Sequence, residues 1–544
     1  MKRITLAIVL LATLSLQAQI LNVNNSDGTY LPVETCNTKD ITFNKSQKVV
    51  TLSLNEGIKH SFNTKNVTSI SPRTDNSSLL TYNLNPEVVF DDNDIKSFTE
   101  KTEVIPTEET ETNDYGDFVE KYAVNKIINI TFSENDVTVS GDIPYEKNGA
   151  HLTINSEASK VRYILKGKSS NGSLKIYSLK KFQLKLSGVD LTNPIGPAIN
   201  VQTGKTIYFT IDPSTINNLC DGDVYNASNE DQKGTIFSEG QLIFDGTGTL
   251  NVTSHGGHGI CSDDYIRIRS GNINIIKAAK DGFHTNDKFV VGRTAEASPT
   301  ITVNAANNGI DCGKGEVVID AGIIQLTTGG EAIKVEYEEE NPDPLVTPNA
   351  TINGGYIKLM TTDSKSSAIK TTGTYKQTGG TIHGTVYGDG SKVLNCDSDI
   401  TFTGGKLVGF ALGTVFADTT SAGGIKSEGK LYFKGGTLAI SCTGKGAKGI
   451  NCATTNITGG EITVLSTAQN HKGNDGTRKS IAIDTGNLTI TNGNTTLKAY
   501  DNAISASKIT LVKGALHAIS DDDIAIDAEE INQSGGWIMS KDNE

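Results

Sequence analysis

From about residue 257 onward one four-residue pattern returns: a small residue, a large apolar one, a polar one and a small one. It reads Gly259-Ile260-Cys261-Ser262, Gly282-Phe283-His284-Thr285, Gly309-Ile310-Asp311-Cys312, Ala332-Ile333-Lys334-Val335 and Ala368-Ile369-Lys370-Thr371, and continues to Ala525-Ile526-Asp527-Ala528. Because side chains alternate along a strand, the Ile position and the small residue two later point to one face and the residue between them to the other. The first set is apolar or small in every copy, and the second is almost wholly polar. Each copy is followed by a second alternating run, such as Ile266-Arg267-Ile268 or Val317-Val318-Ile319. A third follows after a glycine turn, such as Gly271-Asn272-Ile273-Asn274-Ile275. Steps between Ile positions are 23 residues from Ile260 to Phe283 and 22 from Ile504 to Ile526. Three short strands per repeat and no amphipathic helix predict an all-β chain, a right-handed single-stranded parallel β-helix.

The same alternation starts earlier, at Ile128-Asn129-Ile130-Thr131-Phe132, so the β-helix is expected over 126–544. Residues 76–125 carry Asp91, Asp92, Glu108, Glu109, Asp114 and Asp117 with little apolar periodicity, and read as an acidic linker. Residues 20–75, with strand-like Val49–Leu54, read as a small separate β module. Lys2 and Arg3, the apolar run Ile4–Leu16 and Ala18 read as a signal peptide over 1–18, which implies secretion to the periplasm, the cell surface or beyond. No later apolar run is long enough for a transmembrane segment.

Composition narrows the partners. The 544 residues hold 56 Gly, 16 Tyr, 16 Phe and a single Trp, and a net charge of −13 argues against nucleic acid. The seven cysteines (Cys36, Cys220, Cys261, Cys312, Cys396, Cys442, Cys452) lack paired spacing, and several occupy the small inward column, so they read as free thiols that fill space.

Chemistry enters with the acids that decorate only some turns. Stacked repeats lie about 4.8 Å apart, which sets Asp264 over Asp287 and Asp263 over Asn286. Asp281, Asn308 and Glu331 form a second ladder two residues before the Ile column, with Asp311 beside it. Carboxylates stacked so closely repel unless a proton or cation lies between them, and hard oxygen ligands suit calcium. The alternative is a set of solvated turn residues. Asp501 over Asp523, beside Asp521 and Asp522, is a second acidic candidate. His255, His258 and His284 lie near the first acids but lack the spaced partners of a zinc set. A lyase would need a base near calcium, for which Arg267, Arg269, Lys280, Lys288 and Arg293 are available; Arg267 and Arg269 read as outward strand residues.

The stretch GTIFSEGQLIFDGTGTLNVTSHGGHGICSDDYIRIRSGNINIIKAAKDGFHTNDKFVV resembles the core of a bacterial secreted carbohydrate-binding β-helix family. The shared pattern is G-x-G-x-L-x-V, then G-I-x-S-x-D-D, then D-G-[IF]-x-x-x-D. The resemblance is specific over about 125 to 330. It implies a pectate-lyase-like fold, bound calcium and affinity for plant-type polysaccharides including acidic sugars, without established catalysis. The family's acidic positions fall on Asp263, Asp264, Asp281, Asp287 and Asp311, and the chain departs from it at Cys261 and His284. Residues 20–75 resemble a small β module of secreted Bacteroidetes proteins. The expectation is a non-catalytic, calcium-assisted polysaccharide binder; a calcium-dependent polysaccharide lyase and a structural or adhesive surface protein are the alternatives.

Overall fold

A computed structural model describes residues 20–543 except 27–29, 35–37, 45–47, 56, 66, 73–82, 91–116, 293–297 and 338–345. The expected signal peptide, Cys36, Arg293 and most of the acidic linker lie outside the described residues. The chain is all-β: among the described residues the one helical element is a 3-10 turn, Val119–Lys121. It divides into two compact units, residues 91–387 with 394–398, and residues 1–90 with 388–393 and 399–544. Among the described residues no helix is long and apolar enough to cross a membrane.

In the unit built on residues 91–387, each strand pairs in parallel with its counterpart one repeat later. His258–Ser262, Phe283–Thr285, Ile310–Cys312, Ile333–Val335 and Ser367–Thr371 form one such ladder. Tyr265–Ile268, Lys288–Val291, Glu316–Ile319 and Ala350–Ile352 form the second. Asn272–Ala278, Thr300–Ala305, Ile323–Thr328 and Tyr356–Thr361 form the third. Ile260 pairs with Phe283, Phe283 with Ile310 and Ile310 with Ile333, so the expected register holds at these turns. This large parallel-rich sheet is compatible with a β-helix.

The alternation decides the core. Ile260, Phe283, Ile310 and Ile333 are buried, as are Ser262, Thr285, Cys312 and Val335. Glycine precedes the Ile column where the next turn presses in: a Cβ on Gly282 would lie 2.3 Å from Val303 and 2.7 Å from the Gly309 carbonyl. At the corner before the third strand, Gly271 takes φ 103°, a conformation that side chains disfavour. The six described cysteines are all free thiols, five of them buried.

One reading changes. Arg267 and Arg269 do not face water: they are 3% and 4% exposed. The end of the acidic stretch lies over them, with Asp117 accepting from Arg267 at 2.7 Å and Glu120 from Arg269 at 2.7 Å. Asp117 also accepts from the Tyr265 hydroxyl, and Asp245 lies 3.1 Å from Arg269. Asp117 and the two arginines, as charged groups taken from water, keep partners within bonding distance.

In the other unit, from Gly423 on, the first and second strands of the repeat merge. Gly423–Phe433, Lys448–Ile457, Ile481–Ile490, Ile504–Leu511 and Ile526–Gln533 are long parallel partners, with a register shift between Ser427 and Lys430. The N-terminal residues form antiparallel pairs, Ile20–Asn25 with Tyr30–Glu34 and with Val67–Pro72, and Val49–Leu54 with Thr38–Asn44 and with Ile58–Asn63. Their core of Val23, Leu31, Val50, Leu52 and Phe62 also receives Trp537. Ile58–Asn63 pairs antiparallel with Trp537–Lys541, Ser61 facing Ile538.

Candidate functional site

Register places two columns of polar side chains side by side in the unit built on residues 91–387. Two residues before the Ile column stand His258, Asp281, Asn308 and Glu331; one residue after it stand Cys261, His284, Asp311 and Lys334. The short strands fix both columns through their buried Ile and small residues, leaving the side chains between free to vary. Asp281 and Asp311, 2% and 4% exposed, are nonetheless out of water, because the two columns cover each other.

Their bonding runs along the columns and across them. The Asn308 amide and Asn307 Nδ2 both donate to Asp281 Oδ1, at 2.9 and 2.8 Å. Asn308 Oδ1 accepts from the Glu331 amide at 3.0 Å, and Asn308 Nδ2 donates to Asp311 Oδ2 at 3.2 Å. Asp281 Oδ2 lies 3.0 Å from His258 Nδ1 and 3.5 Å from His284 Nδ1. Asp311 lies 3.7 Å from both His284 and Lys334. The His258 and His284 rings stack at 4.5 Å with 25° between their planes. One ligand atom from each of His258, Asp281 and His284 lies within 4.8 Å of the others.

The electrostatics follow from burial set against these partners. Burial opposes a charged His284, but Asp281 and Asp311 outweigh it and raise its pKa to about 9. Burial lowers the pKa of His258, with Asp281 opposing and the charge on His284 reinforcing. Burial would raise the Asp281 carboxyl, yet its bonds to both histidines hold it well below the usual carboxylate range. Of the two stacked imidazoles, the surroundings favour the charged form of His284 and the neutral form of His258. Glu331, at the far end, is raised by burial.

The other ladder lies at the corner between first and second strands. Asn286 Nδ2 donates to the Asp263 carbonyl at 3.1 Å and the Asp287 amide to the Asp264 carbonyl at 3.0 Å. Lys233 Nζ grips both oxygens of Asp263, at 2.6 and 2.7 Å. Gln241 donates to Asp264 at 2.6 Å. Burial raises the Asp264 carboxyl and the charge of Asp287 adds to it. A hard cation fits Asp264 and Asp287 here, whereas Asp263 already has a lysine. It does not fit the columns, where Asp281 Oδ1 and Asn308 Oδ1 are spent on amides and two imidazoles supply nitrogen.

The remaining candidates separate. Asp501, 4% exposed, accepts from Asn470 at 2.6 Å and Lys479 at 2.8 Å, and Lys479 also reaches Asp523 at 3.8 Å. Among the possible lyase bases Arg267 and Arg269 are engaged as described, Lys288 pairs with Glu316 at 2.8 Å and Lys280 is exposed. The sequence reading passed over His258 and His284 as members of the acid ladders. The signal was present: His258 precedes Ile260 by two, the offset that Asp281 holds from Phe283.

Comparison with known proteins gives three findings. No curated protein matches the chain. A polysaccharide lyase-like protein from C. thermocellum, solved as a gadolinium derivative, is similar at 21% identity and a TM-score of 0.38, covering 51% of this chain and 96% of its own. A model of the carbohydrate-binding domain-containing protein family matches residues 148–476. That match spans more than half of the 544 residues and continues well beyond Gly330, where the specific resemblance in the sequence ends. By this match the chain belongs to the carbohydrate-binding domain-containing protein family.

Proposed function

We propose that this chain is a secreted, non-catalytic polysaccharide-binding protein wound as a right-handed parallel β-helix. Its ligands are plant-type or acidic glycans, and calcium assists at the turns carrying Asp264 and Asp287. The observation that carries the reading is the family match over residues 148–476. The surface chemistry supports the choice of glycan. Crystalline cellulose calls for a row of exposed rings. Trp537, the one tryptophan, packs edge-on against Phe62 at 6.4 Å, and the large exposed rings among the described residues are the scattered Tyr145, Tyr387 and Phe416. With a net charge of −13, a divalent cation could bridge protein carboxylates to those of a uronic acid polymer.

Affinity electrophoresis through gels containing polygalacturonate or a neutral plant glycan, with and without EDTA, tests this. Retardation by the acidic polymer that weakens in EDTA is expected. No retardation by any glycan in either buffer overturns the binding reading, and retardation indifferent to EDTA removes calcium from it. Calorimetric titration with calcium should lose its heat in Asp264→Ala; an unchanged isotherm refutes that ligand.

A further inference from the structure

The columns beside the calcium candidate hold a second kind of chemistry. His258, Asp281 and His284 converge, with one ligand atom each within 4.8 Å of the others, and all three are largely shielded from water. Both ring nitrogens nearest the acid are Nδ1, at 3.0 and 3.5 Å from the same oxygen, Asp281 Oδ2. The other oxygen of Asp281 is fixed by two amide donors, so the carboxylate is oriented with Oδ2 toward the rings. A fourth group lies beside them: Asp311, its side chain 6% exposed, has Oδ2 3.7 Å from His284 Nδ1 and Oδ1 3.7 Å from Lys334 Nζ. A dication held by the two stacked imidazoles and Asp281 would lie beside the buried Asp311 carboxyl as well.

We infer that His258, Asp281 and His284 form a binding site for a divalent transition-metal ion of zinc-like character, with Asp311 supplying the second balancing charge. Two nitrogens and one carboxylate oxygen make a donor set that borderline ions accept and calcium, which seeks six to eight oxygens, does not. The backbone register sets His258 on one turn and Asp281 and His284 on the next, so the ion would tie the two turns together. The inference does not rest on glycan binding, and its test contains no glycan.

The full chain, stripped with a chelator and dialysed, is titrated with zinc in competition with a chromophoric chelator, with calcium in excess as the control. Zinc is expected to bind while calcium leaves the titration unchanged. Asp311→Asn should weaken zinc by roughly the 10–100-fold typical of an outer partner, and His258→Ala and His284→Ala by more than that. Zinc affinity unchanged in both histidine variants, or zinc displaced by comparable calcium, overturns the proposal. Far-UV circular dichroism checks that the variants fold. Should they not, cobalt(II) added to the wild-type chain decides: visible d–d absorption abolished by zinc supports the site, and a featureless spectrum overturns it.

Discussion

The turns at residues 258–336 and those at 423–533 share one backbone plan and differ at their corners. In the first set a polar turn, Asp263-Asp264 or Asn286-Asp287, separates first and second strands. In the second set the strand runs through, as in Ile481–Ile490. The columns flanking the Ile position diverge in the same way. One set carries His258, Asp281, Asn308 and Glu331 beside Cys261, His284, Asp311 and Lys334, whereas the other carries Gly423, Lys448, Ile481 and Asn502 beside Lys426, Asn451, Asp484 and Ser505. Folding constrains only the inward columns, so the flanking ones are free to carry chemistry, and the two sets use that freedom differently.

If the inward columns are equivalent, truncating them should cost the same in either set. Phe283→Ala should destabilise by about 3–5 kcal/mol and Ile483→Ala by about 2–5 kcal/mol in denaturant unfolding; a value below 1 kcal/mol in one set alone would break the equivalence. Acid should next weaken the unit that contains His60. His60 is held to about 4 by burial and, secondarily, by the charge of His517. The unfolded histidine takes its proton near 6.5, so between 6.5 and 4 the unfolded state binds more protons and stability falls as pH drops, by up to about 3 kcal/mol. Fluorescence of Trp537 during unfolding at a series of pH values reads this, and His60→Gln should flatten the slope. A smaller effect compares two buried asparagines in the same column. Asn308 accepts from the Glu331 amide and Asn502 donates to the Ile524 carbonyl at 2.9 Å, so Asn308→Ala and Asn502→Ala should each cost about 1–3 kcal/mol. Smallest of all, Lys448→Ala, which removes the ion pair to Asp484, should cost no more than about 1 kcal/mol by thermal melt.

The repeat was legible because a period of two with a buried face leaves a strict trace: Ile260, Phe283 and Ile310 sit in register as their spacing demands. The site was legible in part. Counting offsets placed Asp281, Asn308 and Glu331 in one column, but not the partners that decide what each can do. Lys233 reaches Asp263 from 30 residues away and Asp117 reaches Arg267 from 150, distances over which no local pattern carries information. Treating histidine as an isolated polar residue hid His258 and His284, whose meaning lies in the acid one turn on.

The pairing of Ile58–Asn63 with Trp537–Lys541 bears on how the chain completes itself. A stack of parallel strands ends in an open row of amides and carbonyls, a template on which a second copy could continue. Here the row is met by a strand running the opposite way, joined by Gln533 to Ser61 and Asn63 to Gln533, with Trp537 pressed into the apolar cluster. A segment far upstream in the sequence thus closes a strand far downstream. Until the ribosome reaches residue 541 that lid has nothing to cover, so a prematurely terminated chain would expose both the unfinished stack and the waiting strand.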